Sequence, residues 1–120
     1  LMKNMANSMA EAMGGSCNFD VRMGYPCVNN NELLTNSNMA AAKEYLGEEN
    51  VVLLEPRMTG EDFSYYTQQM PGCFYRLGTG NQERGITSGV HTPTFDIDES
   101  ALEVGAGLMA WLAVSELNGK

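Results

Sequence analysis

The first 24 residues carry one amphipathic helix and one alternating strand, and two such elements cannot bury a core by themselves. Met2, Met5, Ala6, Met9, Ala10 and Met13 recur at helical spacing on a single stripe, and Gly14-Gly15 supply the usual C-terminal stop. Cys17, Phe19, Val21 and Met23 then alternate with Asn18, Asp20 and Arg22, the period of a strand with one buried and one polar face, as in antiparallel sheets. Gly24-Tyr25-Pro26 breaks the strand. Residues 1–25 therefore read as half of a layer whose other half lies elsewhere.

Beyond Pro26 the pattern changes. Asn29-Asn30-Asn31 offer caps for a helix over residues 31–46, which Gly47 ends. Val51-Val52-Leu53-Leu54 is a short continuous apolar run, expected of a strand covered on both faces, and Pro56 closes it. Thr59 with Asp62 resembles a capping box for a helix through Met70, with Asp in place of the usual Glu or Gln. Pro71-Gly72 is a turn, and residues 73–77 read as a further strand. Residues 78–89 hold four glycines among polar residues and form a loop. Asp98 is placed to cap a final helix to Leu117, with Leu102, Leu108, Met109 and Leu112 on its buried face and with Gly105 and Gly107 permitting close approach. The order αβ–αβαβ–α is that of α/β layers, with a boundary at Tyr25-Pro26. There is no internal repeat and no low-complexity tract.

Charge narrows the partners. Seven basic against fifteen acidic residues give a net charge of −8, the wrong sign for nucleic acid or an anionic membrane surface. No apolar run approaches the roughly 20 residues of a membrane span, and no secretory signal is visible. Cys17, Cys27 and Cys73 are odd in number and form no C-x-x-C, so buried free thiols in a reducing, cytoplasmic setting are expected. The nine methionines are expected to fill gaps in the core. The run Gly78-Thr79-Gly80-Asn81 lacks the following Lys-Ser or Lys-Thr of a phosphate loop and is better placed beside an active-site mouth. Phe63, Tyr65, Tyr66, Phe74 and Tyr75 are expected in the core or in a pocket wall.

His91 is the only histidine, set in a loop between Gly89 and Pro93. A lone histidine builds neither a metal site nor a catalytic triad. It is an ordinary loop residue or one member of a site completed elsewhere.

Several short runs, in order and at matching spacing, carry a resemblance. They are Gly24-Tyr25-Pro26 with Asn29, then Leu46-Gly47, and then Asn50-Val51-Val52. Gly60-Glu61-Asp62-Phe63-Ser64-Tyr65-Tyr66, Pro71-Gly72 and Leu77-Gly78 follow. His91-Thr92-Pro93-Thr94-Phe95-Asp96 and the ending Ala101-Leu102 with Gly105-Ala106 complete the set. Across essentially its whole length the chain resembles the zinc-dependent amidohydrolases and carboxypeptidases, in the branch of hippurate hydrolases, indole-acetyl-amino-acid hydrolases and N-acyl-amino-acid amidohydrolases.

The resemblance implies an α/β fold: the αβ half of an antiparallel lid in residues 1–25, often used for dimerisation, and the αβαβα end of a metal-binding catalytic domain in residues 26–120. It implies hydrolysis of the amide of an N-acyl amino acid or related small conjugate by the full-length protein, with two divalent metals, zinc or manganese, and a homodimeric assembly. It places the family's last metal ligand on His91. The other ligands and the general-base glutamate belong to a His-x-Cys-Gly-His-Asp segment and a Glu-Glu pair upstream, neither of which occurs here, so no catalytic residue is expected within this chain and the chain alone is expected to be inactive. Thr59 and Gly60 match a position near bound substrate, where a helix N-terminus would present free N–H groups to a carboxylate. Glu61 and Asp62 read either as helix-capping carboxylates or as groups that orient a metal ligand. The other readings are a non-catalytic interaction module and a degenerate homologue without the upstream ligands.

Overall fold

The computed structural model describes residues 1–119. The elements are α1 (Met2–Ala12), α2 (Glu32–Leu46), a 3-10 turn at Glu48–Asn50, a one-turn α3 (Ser64–Thr67) and α4 (Ser100–Asn118).

The helix ends follow from local chemistry. At the end of α1, Gly14 adopts φ 74°. Its N–H donates to Glu11 O at 3.0 Å and that of Gly15 to Ala10 O at 2.9 Å, the paired bonds of a Schellman stop. Asn31 opens α2 by accepting the Leu34 N–H at 3.0 Å, and Gly47, at φ 91°, ends it. The neighbouring Asn30 does different work. Its amide donates to Phe74 O and accepts from Phe74 N, both at 2.8 Å, while Asn31 N–H donates to Gly72 O at 2.9 Å. One side chain thus imitates a strand partner and ties the start of α2 to residues 72–74.

The core is the seam between α2 and α4: Ala42, Leu108 and Leu112 are buried, with Ala41, Leu46 and Val51 packed around them. The Trp111 indole N–H donates to Ala41 O at 3.0 Å, and its ring stacks on Tyr45 with centroids 6.2 Å apart. The two glycines of α4 are seats for side chains. A Cβ on Gly105 would lie 2.7 Å from Leu77 Cδ2, and one on Gly107 would collide with the Tyr45 hydroxyl.

Several expectations change. None of residues 17–23, 51–54 or 73–77 forms a strand; among the described residues the only ladder contact is the isolated antiparallel bridge Asn81–Ile86. A strand exists only through its neighbour's hydrogen bonds, and no second strand lies beside any of these three. The α/β sheet is therefore absent from these residues. Leu102 and Met109, expected with Leu108 and Leu112, are instead about 60% exposed. Residues 102 and 109 lie two turns apart on one face of α4, while 108 and 112 lie on another, and only the second face is covered. Every methionine but Met39 is exposed, and so are Cys17 and Cys27, with Cys73 half-buried. Of the five aromatics only Phe63 and Phe74 are half-buried; the tyrosines are exposed. By length and composition, against the expectation, α4 could cross a bilayer. It carries Glu103 and Glu116, however, and packs along α2 through Leu108 and Leu112.

The exposure has a measurable size. A compact monomer of 13.1 kDa presents about 6,400 Å² of surface and has a radius of gyration near 14 Å. This chain presents 10,045 Å² and has a radius of gyration of 21.1 Å. The excess includes the apolar run Val52, Leu53 and Leu54 and the methionine stripe of α1. The isolated chain is accordingly expected to self-associate, since patches of this kind rarely stay in water. A monodisperse monomer by light scattering at high concentration would contradict this.

Candidate functional site

Two segments carry the residues singled out from sequence. The first runs from Thr59 to Thr67. The expected capping box does not form: Thr59 Oγ1 instead accepts a long 3.5 Å hydrogen bond from Arg76 Nη2, and Asp62 contributes only its carbonyl, to Tyr65 N. Glu61 ties the turn ahead of the helix, which has no side-chain cap of its own. Its carboxylate accepts the Phe63 N–H at 3.3 Å, and its carbonyl accepts the hydroxyl of the fully buried Ser64 at 2.6 Å. The helix lasts four residues and does not reach Met70. Without a side-chain cap at Thr59 the first turn starts later, at the buried Ser64. Gly60 is exposed beside Tyr25, whose ring would lie 3.2 Å from a Cβ there and packs edge-on against Tyr65 at 5.8 Å. Phe63 packs against Phe74 at 5.6 Å and fixes the far side of the turn.

The second segment is the long loop from Thr79 to Asp98. Its base is closed by Asp98 N–H donating to Thr79 O at 2.8 Å. Within it, Asn81 and Ile86 exchange both backbone bonds around a turn in which Gly85 has φ 72°. His91 lies in the second half of this loop, exposed, with φ 65°. It is the only non-glycine residue at positive φ among the described residues. Thr92 Oγ1 donates to Gly89 O at 2.8 Å, and the hydroxyls of Ser88 and Thr94 meet at 2.8 Å, so the chain on both sides of His91 is tied.

Asp98 does more than open α4. Its Oδ1 accepts from Ser100 N, Ser100 Oγ and Arg84 Nη1 at 3.1, 2.9 and 2.8 Å, and its Oδ2 from Asn81 Nδ2 at 2.5 Å. The Asn81 amide, then the Ser100 N–H and hydroxyl, and finally the Arg84 guanidinium hold its carboxyl at about 2, below the ordinary 3.8. A carboxylate lowered in the folded state contributes stability that is complete above its ordinary value and is lost as pH falls through the folded one. The loop base is therefore expected to open between pH 3.8 and about 2. Acid titration followed by amide exchange at Asn81 and Ser100 checks this, with Asp98→Asn insensitive over the same range. Sequence indicated Asp98 only as a cap; the signal for more was Asn81 and Arg84 set among glycines. Elsewhere, the partial covering of the exposed Tyr75 ring and then the neighbouring Cys73 raise its hydroxyl above its usual value.

No hydrogen bond or ion pair joins His91 to Thr59, Gly60, Glu61 or Asp62. Among the described residues, no three His, Cys, Asp or Glu side chains converge as metal ligands would. The residue singled out as a ligand, His91, presents one exposed imidazole. A cleft of about 210 Å³ lies behind the loop base, lined by Gly78, Thr79, Gly80, Asp98 and Ser100 among others.

Comparison with known proteins places the sequence in a family. Residues 5–115 match the profile described as peptidase family M20/M25/M40. The chain is 36% identical over 96 residues to IAA-amino acid hydrolase ILR1-like 6 of Arabidopsis thaliana, covering 80% of this chain and 21% of that protein. It is 32% identical over 118 residues to thermostable carboxypeptidase 1 of Saccharolobus solfataricus, covering 98% and 29%. It is 35% identical over 102 residues to YhaA of Bacillus subtilis strain 168, provisionally named an amidohydrolase, covering 85% and 26%. The chain thus spans about a quarter of the length of these relatives. No solved structure matches it significantly. With the profile matched over nearly all of its length, the chain belongs to peptidase family M20/M25/M40.

Proposed function

We propose that this chain is the C-terminal portion of a metal-dependent amidohydrolase that cleaves the amide of N-acyl amino acids or related small conjugates. The observation that carries the reading is the backbone of His91. A histidine held at φ 65° in a loop costs conformational energy, and neighbouring ties maintain it. Exposed and tied on both sides, it has the character of a ligand presented to a site whose other members lie outside these residues. The names of the relatives, hydrolases of an amino-acid conjugate and a carboxypeptidase, support the reaction class.

In this reading residues 1–25 are half of a lid that also serves dimerisation, and residues 26–120 complete an α/β catalytic domain whose sheet partners lie in the rest of the protein. His91 is one ligand of a centre of two divalent ions, zinc or manganese. The general base comes from the upstream Glu-Glu pair. Thr59 and Gly60 face substrate, and Glu61 and Asp62 support the site from the turn before α3. The full-length protein is a cytoplasmic homodimer acting on small molecules, with neither nucleic acid nor membrane as a partner.

The test is metal content and hydrolysis of a panel of N-acyl amino acids by the full-length protein. Bound zinc or manganese near two per subunit, with activity lost to a chelator, is the expected result. A full-length protein that binds no metal and hydrolyses none of the panel would instead favour a non-catalytic module or degenerate homologue.

A further inference from the structure

We propose that Asp98 is a positioning residue that clamps the base of the 79–98 loop and thereby sets where His91 stands; the functional half of this inference rests on the reading of His91 above. The geometry carries it. Asp98 is 8% exposed, yet it receives hydrogen bonds from both ends of the loop's first turn, through Asn81 Nδ2 and Arg84 Nη1, and from the start of α4, through Ser100. Its own N–H closes the loop on Thr79 O. Asn81 is held in turn, its Oδ1 accepting the Arg84 N–H at 3.1 Å and its backbone pairing with Ile86. The 79–98 loop contains no regular element beyond that bridge. A 20-residue excursion without helix or strand holds one shape only if its base is fixed. Asp98 couples that base to the 19-residue α4, the longest helix among the described residues. The carboxylate thus does two separable jobs: it caps α4 through Ser100, and it clamps the loop through Asn81 and Arg84.

The two jobs separate by substitution. Asp98→Asn can keep the Oδ1 that Ser100 and Arg84 share, but it loses the charge facing the guanidinium and sets an NH2 group against the Asn81 NH2, so the cap stays while the clamp loses its Asn81 arm. Ser100→Ala weakens the cap and leaves the clamp. Asn81→Ala acts from the loop side alone and covers the case in which the Asp98 variant does not fold. Each is made in the full-length, metal-loaded protein and read by hydrogen exchange of the amides in residues 81–97 and by kcat and KM. In Asp98→Asn and Asn81→Ala, loop exchange is expected to rise about tenfold or more. Their kcat falls about tenfold to a hundredfold with KM within about twofold, as small misplacements of a reacting group do. Ser100→Ala should match the parent in both readouts. Loop exchange at the parent rate in both clamp variants overturns the proposal, as does a Ser100→Ala loss of kcat equal to that of Asp98→Asn. Failure of the underlying reading looks different: His91→Ala would keep its rate while loop exchange in Asp98→Asn still rose.

Discussion

Replacing His91 by glycine should destroy hydrolysis by the full-length protein without destabilising it. The two effects are expected to point in opposite directions because they have different causes. At φ 65° any residue with a Cβ is strained, by about 1–2 kcal/mol. Glycine adopts this conformation freely but loses more chain entropy on folding, about 0.4–1 kcal/mol. His91→Gly should therefore unfold at the parent's denaturant midpoint or above it, while His91→Ala, which keeps the strain, gains nothing. For activity the two substitutions are equivalent, since both remove the imidazole. Both should fall by more than the roughly 10–100-fold that loss of a supporting residue costs, and bound metal should drop with them. The pair is read by chemical denaturation, kcat/KM and metal analysis. An active His91→Gly protein would remove His91 from the site. An inactive variant that is also strongly destabilised would make it a structural loop residue.

What the sequence made legible was whatever local chemistry decides. The stop at Gly14-Gly15, the Asn31 cap, the end of α2 at Gly47 and the extent of α4 depend on residues a few positions apart, and each stands as expected. Membership of the family was legible for a similar reason, because short runs in a fixed order survive without any three-dimensional context. The strands were not realised, because residues 17–23, 51–54 and 73–77 have the right pattern but no partner beside them. The capping role assigned to Thr59 and Asp62 goes unfilled, and Glu61 ties the turn ahead of α3 through Phe63 N–H and the buried Ser64 hydroxyl. Asn30 looked like one of three interchangeable caps, yet it reaches 44 positions along the chain to Phe74. The same non-local reach hid the link between Asn81 and Asp98. Thr59 through Asp62 and His91 came from sequence, but no bond within this chain joins them.

Leu108→Ala and Leu102→Ala should separate the face of α4 that this chain covers from the one that it leaves open. Leu108 is 4% exposed in a seam whose buried side chains are Ala42, Leu108 and Leu112. Truncation to alanine costs about 2–5 kcal/mol in such positions. With only three buried side chains in the seam, helical circular dichroism from α2 and α4 should fall sharply in the 120-residue chain. Leu102 is 60% exposed, and its truncation there should change stability by no more than about 0.5 kcal/mol. The full-length protein should treat the two alike. A helix apolar on two faces belongs to a larger core, and once the remainder of the protein covers the second face, Leu102→Ala should also cost about 2 kcal/mol or more. The same reasoning applies to Met109, whose sulfur accepts the Tyr75 hydroxyl at 3.7 Å on that open side. If Leu102→Ala proves as harmless in the full-length protein as in the isolated chain, the second face of α4 meets water, and the excess exposed surface of this chain has some other cause than a missing half.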